Sequence, residues 1–503
     1  MTSSGEVFVH GVASGDPVND RVVIWTRASP AAGEDVEVEW TVAADPDLKE
    51  IVASGMVVAE AEGDWTVHVD VDGLEPATTY HYGFRSGGSA SPVGRTRPLP
   101  AAGTTHIRLA TASCAKYNAG FFNAYGRIAA RDDLDFVLHL GDYIYEAAQK
   151  PPPSQTPAAD IGREVDPLHE CTTLADYRRR YALYRRDPDV QALHAAHPMI
   201  ATVDDHEIAD GCWSDGSVEH KPDGSGSWER RRAEAFRARW EWMPARPPDP
   251  ADPERVIRSL SVGNLADLFV IDTRTRRDEP VPPPEMYGEG RTALSAGQRA
   301  WLLEELASST ATWRLIGNPS VMGHTWSEGL PEAIRPALAE VKLIRKDGAG
   351  ADYDQWDGYP AERDALLRHV TEQGIEGVVV LSGDVHLSLA LEVRRDPFDP
   401  ASPSLAVEFV TASLTSQNVA DKMGWPPRTR SIAIEEALVQ ALPHVQWCEL
   451  DSNGYMVVDV TPERVVGEWW HLGTVLRAST TEKCAARWMV ERSAARLTRL
   501  SDG

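Results

Sequence analysis

The sequence predicts an α/β domain preceded by a small antiparallel β domain. Three observations support this fold class. The 503 residues are too many for one ordinary domain, short alternating strands fill the first hundred residues, and apolar runs then alternate with helical stretches. A stretch rich in Pro and Gly, "SPVGRTRPLPAAGTT", lies between the two parts and predicts a domain boundary.

Residues 1–100 are predicted to form the small antiparallel β-sandwich. Four segments alternate apolar with polar residues and are separated by turn clusters such as "VDGLEPATT". Helical periodicity is scarce here, and several short strands at this spacing favour a sandwich. The four segments are "VVIWTR", "VEVEWTVA", "WTVHVDV" and "TYHYGFRS".

Residues 105–503 are predicted to form the α/β domain, because short apolar runs flanked by helices are typical of buried strands. Helices are predicted in "RRRAEAFRARWEW" and, capped by Ser295, in "SAGQRAWLLEELASS". Two polar insertions, about 147–175 and 209–228, are interpreted either as functional loops or as surface excursions. The apolar runs are "HIRLATAS", "LDFVLHLG", "MIATVDD", "LADLFVIDTR", "ATWRLIGN" and "EGVVVLSGD".

The net charge of −26 comes from 76 acidic and 50 basic residues and repels nucleic acids and anionic membranes. No nucleic-acid partner is therefore expected, whereas carboxylates that bind metal ions can still form a local cationic site. No run of 18 apolar residues and no signal-peptide pattern occurs, so no transmembrane segment is predicted. The oligomeric state is not readable from the sequence.

The five cysteines show no CxxC or CxxH spacing, which argues against a structural zinc site. Two disulfides with one free thiol, or five free thiols, are both compatible with their number.

Chemically reactive side chains follow four of the apolar runs at the point where each run ends. Because the carboxyl ends of strands in an open α/β sheet converge on one crevice, these side chains are predicted to lie together. Any one of these motifs has an ordinary explanation as a turn, a helix cap or a core thiol; four together predict a metal site. The residues are Cys114, then Asp142 with Tyr145, then Asp204, Asp205, His206 and Glu207, then Asp384 with His386.

Two adjacent metal ions need a bridging carboxylate, further oxygen ligands and imidazole or softer ligands. Asp142 is predicted as the bridge, and Tyr145 as phenolate and Cys114 as thiolate suit ferric iron. Asp384 and His386, two residues apart, would both point at the metals if the segment is extended. Asp204 and Asp205 are predicted to serve different ions.

Several neighbouring residues have two interpretations. His206 and Glu207 would assist proton transfer or orient ligands, with orientation favoured. Arg274, Arg276 and Arg277 would clamp phosphate, or an arginine would pair with the buried Asp272. The remaining candidates, interpreted mainly as packing or loop hydrogen bonding, are Trp356, Asp357 and Tyr359 at the rim and Asn318 and His324 after another strand.

In order, these motifs resemble the alkaline phosphatase D, or PhoD-like, family of metallophosphatases in the calcineurin-like phosphoesterase superfamily. The resemblance implies a four-layer α/β/β/α metallophosphatase sandwich behind a fibronectin-like β-sandwich. It covers nearly the whole chain. The motifs are "GVASGDP" and "VVIWTR", then "SCAKYN", "LGDYIYE", "DDHE", "DTRTRR", "WDGYPAERDALL" and "SGDVHLS".

The resemblance also implies the cofactors, Fe³⁺ beside one or two Ca²⁺ ions, with Mn²⁺ or Zn²⁺ as substitutes. The implied iron ligands are Cys114, Asp142, Tyr145 and His386, and the implied calcium ligands are Asp142, Asp204 and Asp384. Asp205 is assigned to a second calcium, for which Asp210 and Asp215 are the nearby candidates without a matching motif.

The predicted function is metal-dependent hydrolysis of phosphate monoesters, diesters or both by a metal-bound hydroxide. The alternatives are a phospholipase D that acts on phospholipid diesters, and a secreted, non-enzymatic protein stabilised by calcium. A serine hydrolase is disfavoured because no GxSxG occurs. The predicted catalytic residues are Asp142, Asp204, His206, Asp384 and His386.

The family is usually exported, commonly by the twin-arginine route. This predicts a secreted or periplasmic location if an export signal has been removed, and the chain as written is also compatible with the cytoplasm.

Overall fold

The structure is a computed structural model that describes residues 7–29, 33–149, 161–221, 224, 226–324, 332, 353–492 and 494–501. The two predicted polar insertions lie partly outside these residues.

The described residues up to about 100 form eight strands, and the four segments predicted from the sequence are all among them. A five-stranded sheet in the order β4-β3-β6-β7, with β8 on β6, packs on β1, β2 and β5. The core between them includes Val22, Ile24, Val38 and Tyr82. The strands are β1 Val12–Gly15, β2 Val22–Arg27, β3 Val36–Ala43, β4 Ile51–Ala59, β5 Thr66–Val71, β6 Tyr80–Ser86, β7 Ser89–Ala90 and β8 Gly94–Thr96.

The rest of the chain contributes sixteen further strands within the described residues. All six apolar runs named above contain one. The strands are β9 Ile107–Ala112, β10 Phe136–His139, β11 Pro198–Ala201, β12 Cys212–Trp213, β13 Gly216–Ser217, β14 Arg258–Val262, β15 Ala266–Val270, β16 Trp313–Asn318, β17 Val378–Ser382, β18 Ser388–Arg394, β19 Ser404–Val410, β20 Val445–Glu449, β21 Gly454–Val460, β22 Arg464–Leu472, β23 Glu482–Glu491 and β24 Leu497–Arg499.

The helices include both segments predicted from periodicity. Ser295 caps its helix as predicted, because its hydroxyl accepts a hydrogen bond from the backbone N–H of Gln298. Outside the undescribed segments, the helices are α1 Asn123–Ala129, α2 Leu174–Arg185, α3 Pro188–Ala196, α4 Trp228–Trp242, α5 Ala296–Ser308, α6 Pro360–Glu372, α7 Val419–Met423 and α8 Ser431–Ala441.

Two large sheets carry the site. The ten-stranded sheet has the order β24-β23-β22-β21-β9-β10-β11-β1-β2-β5, and the seven-stranded sheet has the order β14-β15-β16-β17-β19-β18-β20. Strands β9, β10 and β11 are parallel in the first sheet, and β15, β16 and β17 are parallel in the second. Their carboxyl ends are therefore the expected place for a ligand crevice.

Three apolar cores hold the two sheets and the helices together. Strand β10 shows why its sequence is apolar on both faces: Val137 packs into a core with helices, whereas Phe136 and Leu138 pack between the two sheets. The third core joins the other face of the seven-stranded sheet to α5 and α6, through residues such as Ile316 and Leu302. These contacts confirm a mixed α/β fold with a β-rich N-terminal part.

The N-terminal strands are continuous with the larger sheet. Strand β1 pairs in parallel with β11, so β1, β2 and β5 extend the ten-stranded sheet. A side chain at Gly15 would lie 2.0 Å from the carbonyl oxygen of Pro244, which explains a glycine at this close contact. Pairing with β1 also covers an edge of β11 that would otherwise be open.

The strands after β17 were not predicted from the sequence. Strand β21 lies between β9 and β22 and is buried on both faces, so its sequence lacks the alternation of a half-buried strand.

The five cysteines form no disulfide bond with one another. None of the helices in the described ranges combines the length and the apolar character that crossing a membrane requires.

Candidate metal centre

The predicted site residues are brought together at the carboxyl ends of the parallel strands of both large sheets. Cys114 follows β9, Asp142 follows β10, Asp204 follows β11 and Asp384 follows β17. Three groups of potential ligand atoms lie there, and the atoms within each group are within 4.8 Å of one another. The groups are Cys114, Asp142 and His386; Asp142, Asp204 and Asp384; and Asp142, Asp205 and His206.

Asp142 belongs to all three groups, which is the arrangement expected of a bridging carboxylate. One of its oxygens accepts a hydrogen bond of 2.9 Å from the Tyr145 hydroxyl, and the other accepts one of 3.3 Å from the backbone N–H of His206. Tyr145 lies 3.4 Å from Nε2 of His386, so it shares the surroundings of the first group. Asp204 and Asp205 fall into different groups, as the assignment to different ions requires.

The backbone turns sharply where the strands end. Cys114, Asp142, Asp384 and His386 all have left-handed backbone, with φ between 56° and 66°. Each such residue costs about 1–3 kcal/mol, and such strain accumulates at functional sites. The segment of Asp384 and His386 is therefore not extended, so the condition stated above is not met, and the two side chains belong to different groups that share Asp142.

A glycine and a glutamate hold the loop after β10 against the loop after β11. Gly141 has φ of 102°, and a side chain there would lie 2.5 Å from Cβ of Asp204. The buried Glu207 carboxylate accepts backbone hydrogen bonds from Asp142, Tyr143 and Asp204 at 3.0, 2.5 and 2.8 Å. Burial raises the pKa of Glu207 to about 7, although these bonds oppose the change. These hydrogen bonds fix the backbone of Asp142, Tyr143 and Asp204 relative to one another.

His386 and Tyr145 are oriented by neutral partners. Nδ1 of His386 lies 3.0 Å from the carbonyl oxygen of Gln417, so a proton on Nδ1 leaves the Nε2 lone pair for a metal. Burial lowers the pKa of His386 well below its ordinary value, which keeps the imidazole neutral. The Ser416 hydroxyl donates a hydrogen bond of 2.6 Å to the Tyr145 oxygen.

His206 is held by Glu146. Nδ1 of His206 lies 2.7 Å from the Glu146 carboxylate, and the His206 ring lies 4.0 Å from the ring of Tyr145. Burial opposes protonation, but the charges of Glu146 and Asp142 raise the pKa of His206 well above its ordinary value. Both interpretations of His206, orientation of ligands and proton transfer, stay predictions.

The acidic residues form a buried concentration of negative charge. Burial raises the pKa of both Asp142 and Asp204 well above the ordinary value, and neighbouring carboxylates add to the increase. Burial, followed by the charges of Asp142 and Asp384, also raises the pKa of the Cys114 thiol. Bound cations would reverse these changes, since they stabilise carboxylate and thiolate.

A separate observation also indicates that these residues can bind metal ions. Oδ2 of Asp204 is buried and has no hydrogen-bond partner in the described part of the chain. A buried carboxylate oxygen is costly without a partner, and a cation would supply one. Asp384, His386 and His206 are only half-buried, so the site opens on their side.

The three arginines all contact carboxylates. Arg274 contacts Asp204, Asp354 and Asp384, Arg277 contacts Asp354, and the half-exposed Arg276 contacts Asp252. The alternative of a pair between Asp272 and an arginine side chain is wrong for the residues that the structure describes, because Asp272 accepts hydrogen bonds from the backbone of Arg274 and Thr275 instead.

The other candidates have packing or hydrogen-bonding roles. Trp356, Asp357 and Tyr359 are buried directly before α6, and Asn318 bonds to Ser320 and Ser382. His324 pairs with Asp357.

Sequence reasoning missed Asp354, Gln355, Ser416 and Gln417. The last two lie six and seven residues after the end of β19, whereas the first predicted ligand after each strand follows it by two or three residues, so the strand-end signal does not single them out. Asp354 and Gln355 stand directly before "WDGYP" and carried no such signal.

Two family models match the chain. One described as PhoD-like phosphatase matches residues 109–469, and one described as PhoD-like phosphatase, N-terminal domain, matches residues 1–100. Alkaline phosphatase D of Bacillus subtilis (strain 168) is 35% identical over 476 residues, which are 91% of this chain and 76% of that protein.

Two solved structures are also similar to this chain. The structure of PhoD is 32% identical with a TM-score of 0.87 and covers 100% of this chain and 94% of its own. The purple acid phosphatase PPD1 from yellow lupin (Lupinus luteus) seeds has a TM-score of 0.52 at 12% identity, over 96% of this chain and 73% of its own, and is alike in fold alone.

The predicted resemblance is therefore confirmed, and the alternative of a non-enzymatic binding protein is set aside. The ligand and catalytic roles of the individual residues stay predictions. The chain belongs to the PhoD-like phosphatase family and is a phosphoric ester hydrolase.

Proposed function

We propose that this protein hydrolyses phosphate monoesters, diesters or both at a metal centre built around Asp142. The observation that carries the proposal is that Asp142 is common to three groups of potential ligand atoms from both sheets. A carboxylate in that position can hold two cations side by side. Family membership supports the reaction class.

The donor sets support different ions on the two sides of Asp142. Cys114, Tyr145 and His386 offer thiolate, phenolate and imidazole, which suit Fe³⁺, whereas Asp204 and Asp384 offer only oxygen, which suits Ca²⁺. The proposal includes one or two calcium ions, with Asp205 beside the second, and Mn²⁺ or Zn²⁺ as substitutes. When bound, the ions supply acidified water as nucleophile and positive charge for the phosphoryl oxygens.

The protein's own groups fix the geometry of this centre. Glu207 and Gly141 hold Asp142 beside Asp204, and the carbonyl of Gln417 directs Nε2 of His386 toward the first group. His206, held at Nδ1 by Glu146, is half-buried and lies where the site opens to solvent. Because the ligands come from separate strand ends of a rigid double sheet, the site is organised before a substrate binds.

The finer fold description also belongs to the proposal. We infer that the helices, the two sheets and the remaining helices form the four-layer α/β/β/α sandwich, and that the first hundred residues are fibronectin-like. The three separate cores support the layering.

Activity against three substrates tests the proposed function. The purified protein, with iron and calcium supplied, is assayed with an aryl phosphate, a bis-aryl phosphate and a phospholipid diester. We expect turnover of the first two, a loss of turnover with chelators, and recovery with the metals. Preference for the phospholipid would support the phospholipase D alternative, and no turnover of any ester would contradict the proposal.

The secreted or periplasmic location implied by the family is a further part of the proposal. Fractionation of the producing cells, followed by detection of the protein in each fraction, tests it.

A further inference from the structure

Arg274 connects the strand ends of the two sheets through a buried guanidinium. Its Nε contacts Asp204, its Nη1 lies 2.5 Å from Oδ2 of Asp354, and its Nη2 lies 2.5 Å from Oδ2 of Asp384. The Arg274 side chain is 0% exposed. The three carboxylates come from three separate segments, so one side chain fixes their relative positions.

In both Asp204 and Asp384, the hydrogen bonds from protein side chains go to only one of the two carboxylate oxygens. Arg274 and the backbone N–H of Asp205 both bond to Oδ1 of Asp204, while Oδ2 is buried without a hydrogen-bond partner in the described part of the chain. The side-chain hydrogen bonds from Arg274 and Gln355 to Asp384 both end on Oδ2. One oxygen of each carboxylate is thus held by the protein, and the other can face a cation.

Asp354 and Gln355 are themselves held by hydrogen bonds to the protein. Asp354 bonds through Oδ1 to Nη2 of Arg277 at 2.5 Å, and the carbonyl of Asp354 accepts a hydrogen bond of 2.7 Å from Arg277 Nη1. Nε of Arg277 bonds to the carbonyl of Cys212 at 2.9 Å. Gln355 in turn accepts a hydrogen bond of 2.7 Å from the backbone N–H of Val321. Asp354, which holds Arg274, and Gln355, which holds Asp384, are therefore themselves fixed by the protein.

We propose that Arg274, anchored by Asp354, is a positioning residue for the oxygen-only metal group of Asp142, Asp204 and Asp384. It orients one oxygen of Asp204 and of Asp384 toward the cation by holding the other oxygen. Partners of metal ligands commonly act in this way, and their loss weakens metal binding by about 10–100-fold. This inference rests on the proposed metal-dependent function.

The effect is selective for one side of the centre. Among the described residues, Arg274 makes no hydrogen bond or ion pair with Cys114, Tyr145 or His386, which have their own partners. Removal of Arg274 therefore affects the ion of the oxygen-only group and leaves the other ion in place.

Calcium binding by an Arg274→Met variant tests the inference, with Arg276→Met as the matched control. Arg276 lies two residues further on, is 36% exposed and pairs with Asp252 instead. Calcium is removed from the purified holoprotein with EGTA, and Ca²⁺ is titrated back by calorimetry, while elemental analysis and the visible absorption spectrum follow iron. We expect Ca²⁺ binding to weaken by about 10–100-fold in R274M with iron content unchanged, and no change in R276M.

A second variant covers the case in which R274M does not fold. Asp354→Asn removes the anchor but keeps the contacts of Arg274 with Asp204 and Asp384, so Ca²⁺ binding should weaken by a smaller factor, up to about tenfold. Circular dichroism and iron content report folding in both variants.

Three outcomes would overturn the inference. They are unchanged or tighter Ca²⁺ binding in folded R274M, loss of iron together with calcium in that variant, and, if only D354N folds, unchanged Ca²⁺ binding in D354N. If the unmodified protein binds no Ca²⁺, the proposed calcium site fails, and the inference fails with it.

Discussion

The two sides of the candidate metal centre are built by different means. On one side, Tyr145 and His386 are oriented by a hydroxyl and by a backbone carbonyl. On the other side, Asp204 and Asp384 are oriented by the charged side chain of Arg274. Buried carboxylates need charge compensation, whereas a neutral phenol or imidazole needs only a hydrogen bond. On these two sides the carboxylates therefore have a charged partner and the phenol and imidazole have neutral ones, whereas Asp142 between them accepts hydrogen bonds from the neutral Tyr145 hydroxyl and the His206 backbone N–H.

The two sides also share one feature, which is the left-handed backbone at the ends of their strands. Cys114 and His386 on one side and Asp384 on the other have it, as does Asp142 between them. A strand that simply continued would carry these side chains past the crevice. The sharp turn lets short side chains from several strands reach one volume, at the cost of backbone strain.

The largest expected effect comes from Asp142→Asn, which acts on both sides at once. Burial raises the pKa of Asp142 well above its ordinary value, so a neutral amide of similar shape should be tolerated in the fold. We expect loss of both metals and a fall in kcat of about a thousand-fold or more, because paired ions contribute several kcal/mol to catalysis. Steady-state kinetics and elemental analysis measure it.

An acid outside the ligand groups provides the control. Asp135 directly precedes β10, at the opposite end of that strand from Asp142, and its side chain belongs to none of the three groups. Asp135→Asn should retain both metals. Retention of both metals by Asp142→Asn would show that Asp142 is not the bridge.

The next largest effects come from two variants that each remove a ligand on one side of the candidate metal centre. Cys114→Ser should reduce iron content and the visible absorption, while Asp204→Asn should reduce calcium content and leave the absorption unchanged. Loss of a partner of a metal ligand weakens metal binding by up to ~100-fold. Because these variants remove a ligand itself, each should weaken the binding of its own ion by at least that factor. Elemental analysis and absorption spectra of both variants measure the difference. Parallel loss of both metals in both variants would show that the two sides are not independent.

The strand-end pattern predicted the ligands but not their partners. An apolar run followed by Cys, Asp or His is visible in a single stretch of sequence, so Cys114, Asp142 and Asp384 could be found. The sequence indicates Arg274 as a candidate, but the two interpretations that it offers are a phosphate clamp and a pair between an arginine and the nearby Asp272. The observed partner Asp354 lies 80 residues away, and no local pattern specifies such a contact.

The same limit applies to the fold. Half-buried strands of the N-terminal part and strands followed by motifs were predicted, because their patterns are local. Strand β21 and the pairing of β1 with β11 depend on which sheet a segment joins, and burial on both faces removes the alternation. The turn at Asp384 and His386 was also missed, since left-handed backbone at non-glycine residues has no dependable sequence signal.

A smaller effect is expected from Gly141→Ala, which displaces one side relative to the other. Its new Cβ would lie 2.5 Å from Cβ of Asp204, so we expect calcium binding to weaken by roughly tenfold. Gly103→Ala is the control, because Gly103 has a similar φ of 93° and nothing within 4 Å. Both variants should lose about 1–2 kcal/mol to left-handed strain, but only Gly141→Ala should lose calcium in titration. Equal calcium binding in both variants would contradict the role of this contact.

The smallest expected effect is that of Ser416→Ala, which removes one neutral partner on the side proposed to bind iron. The hydroxyl of Ser416 bonds to the Tyr145 oxygen at 2.6 Å, and its loss should cost about 1 kcal/mol. We expect a shifted phenolate absorption band, a change in kcat of no more than about fivefold, and unchanged calcium binding. Absorption spectra and calcium titrations of the same preparation measure these quantities. Weakened calcium binding would show that neutral and charged partners are coupled through Asp142, since Tyr145 also donates a hydrogen bond to Oδ2 of Asp142.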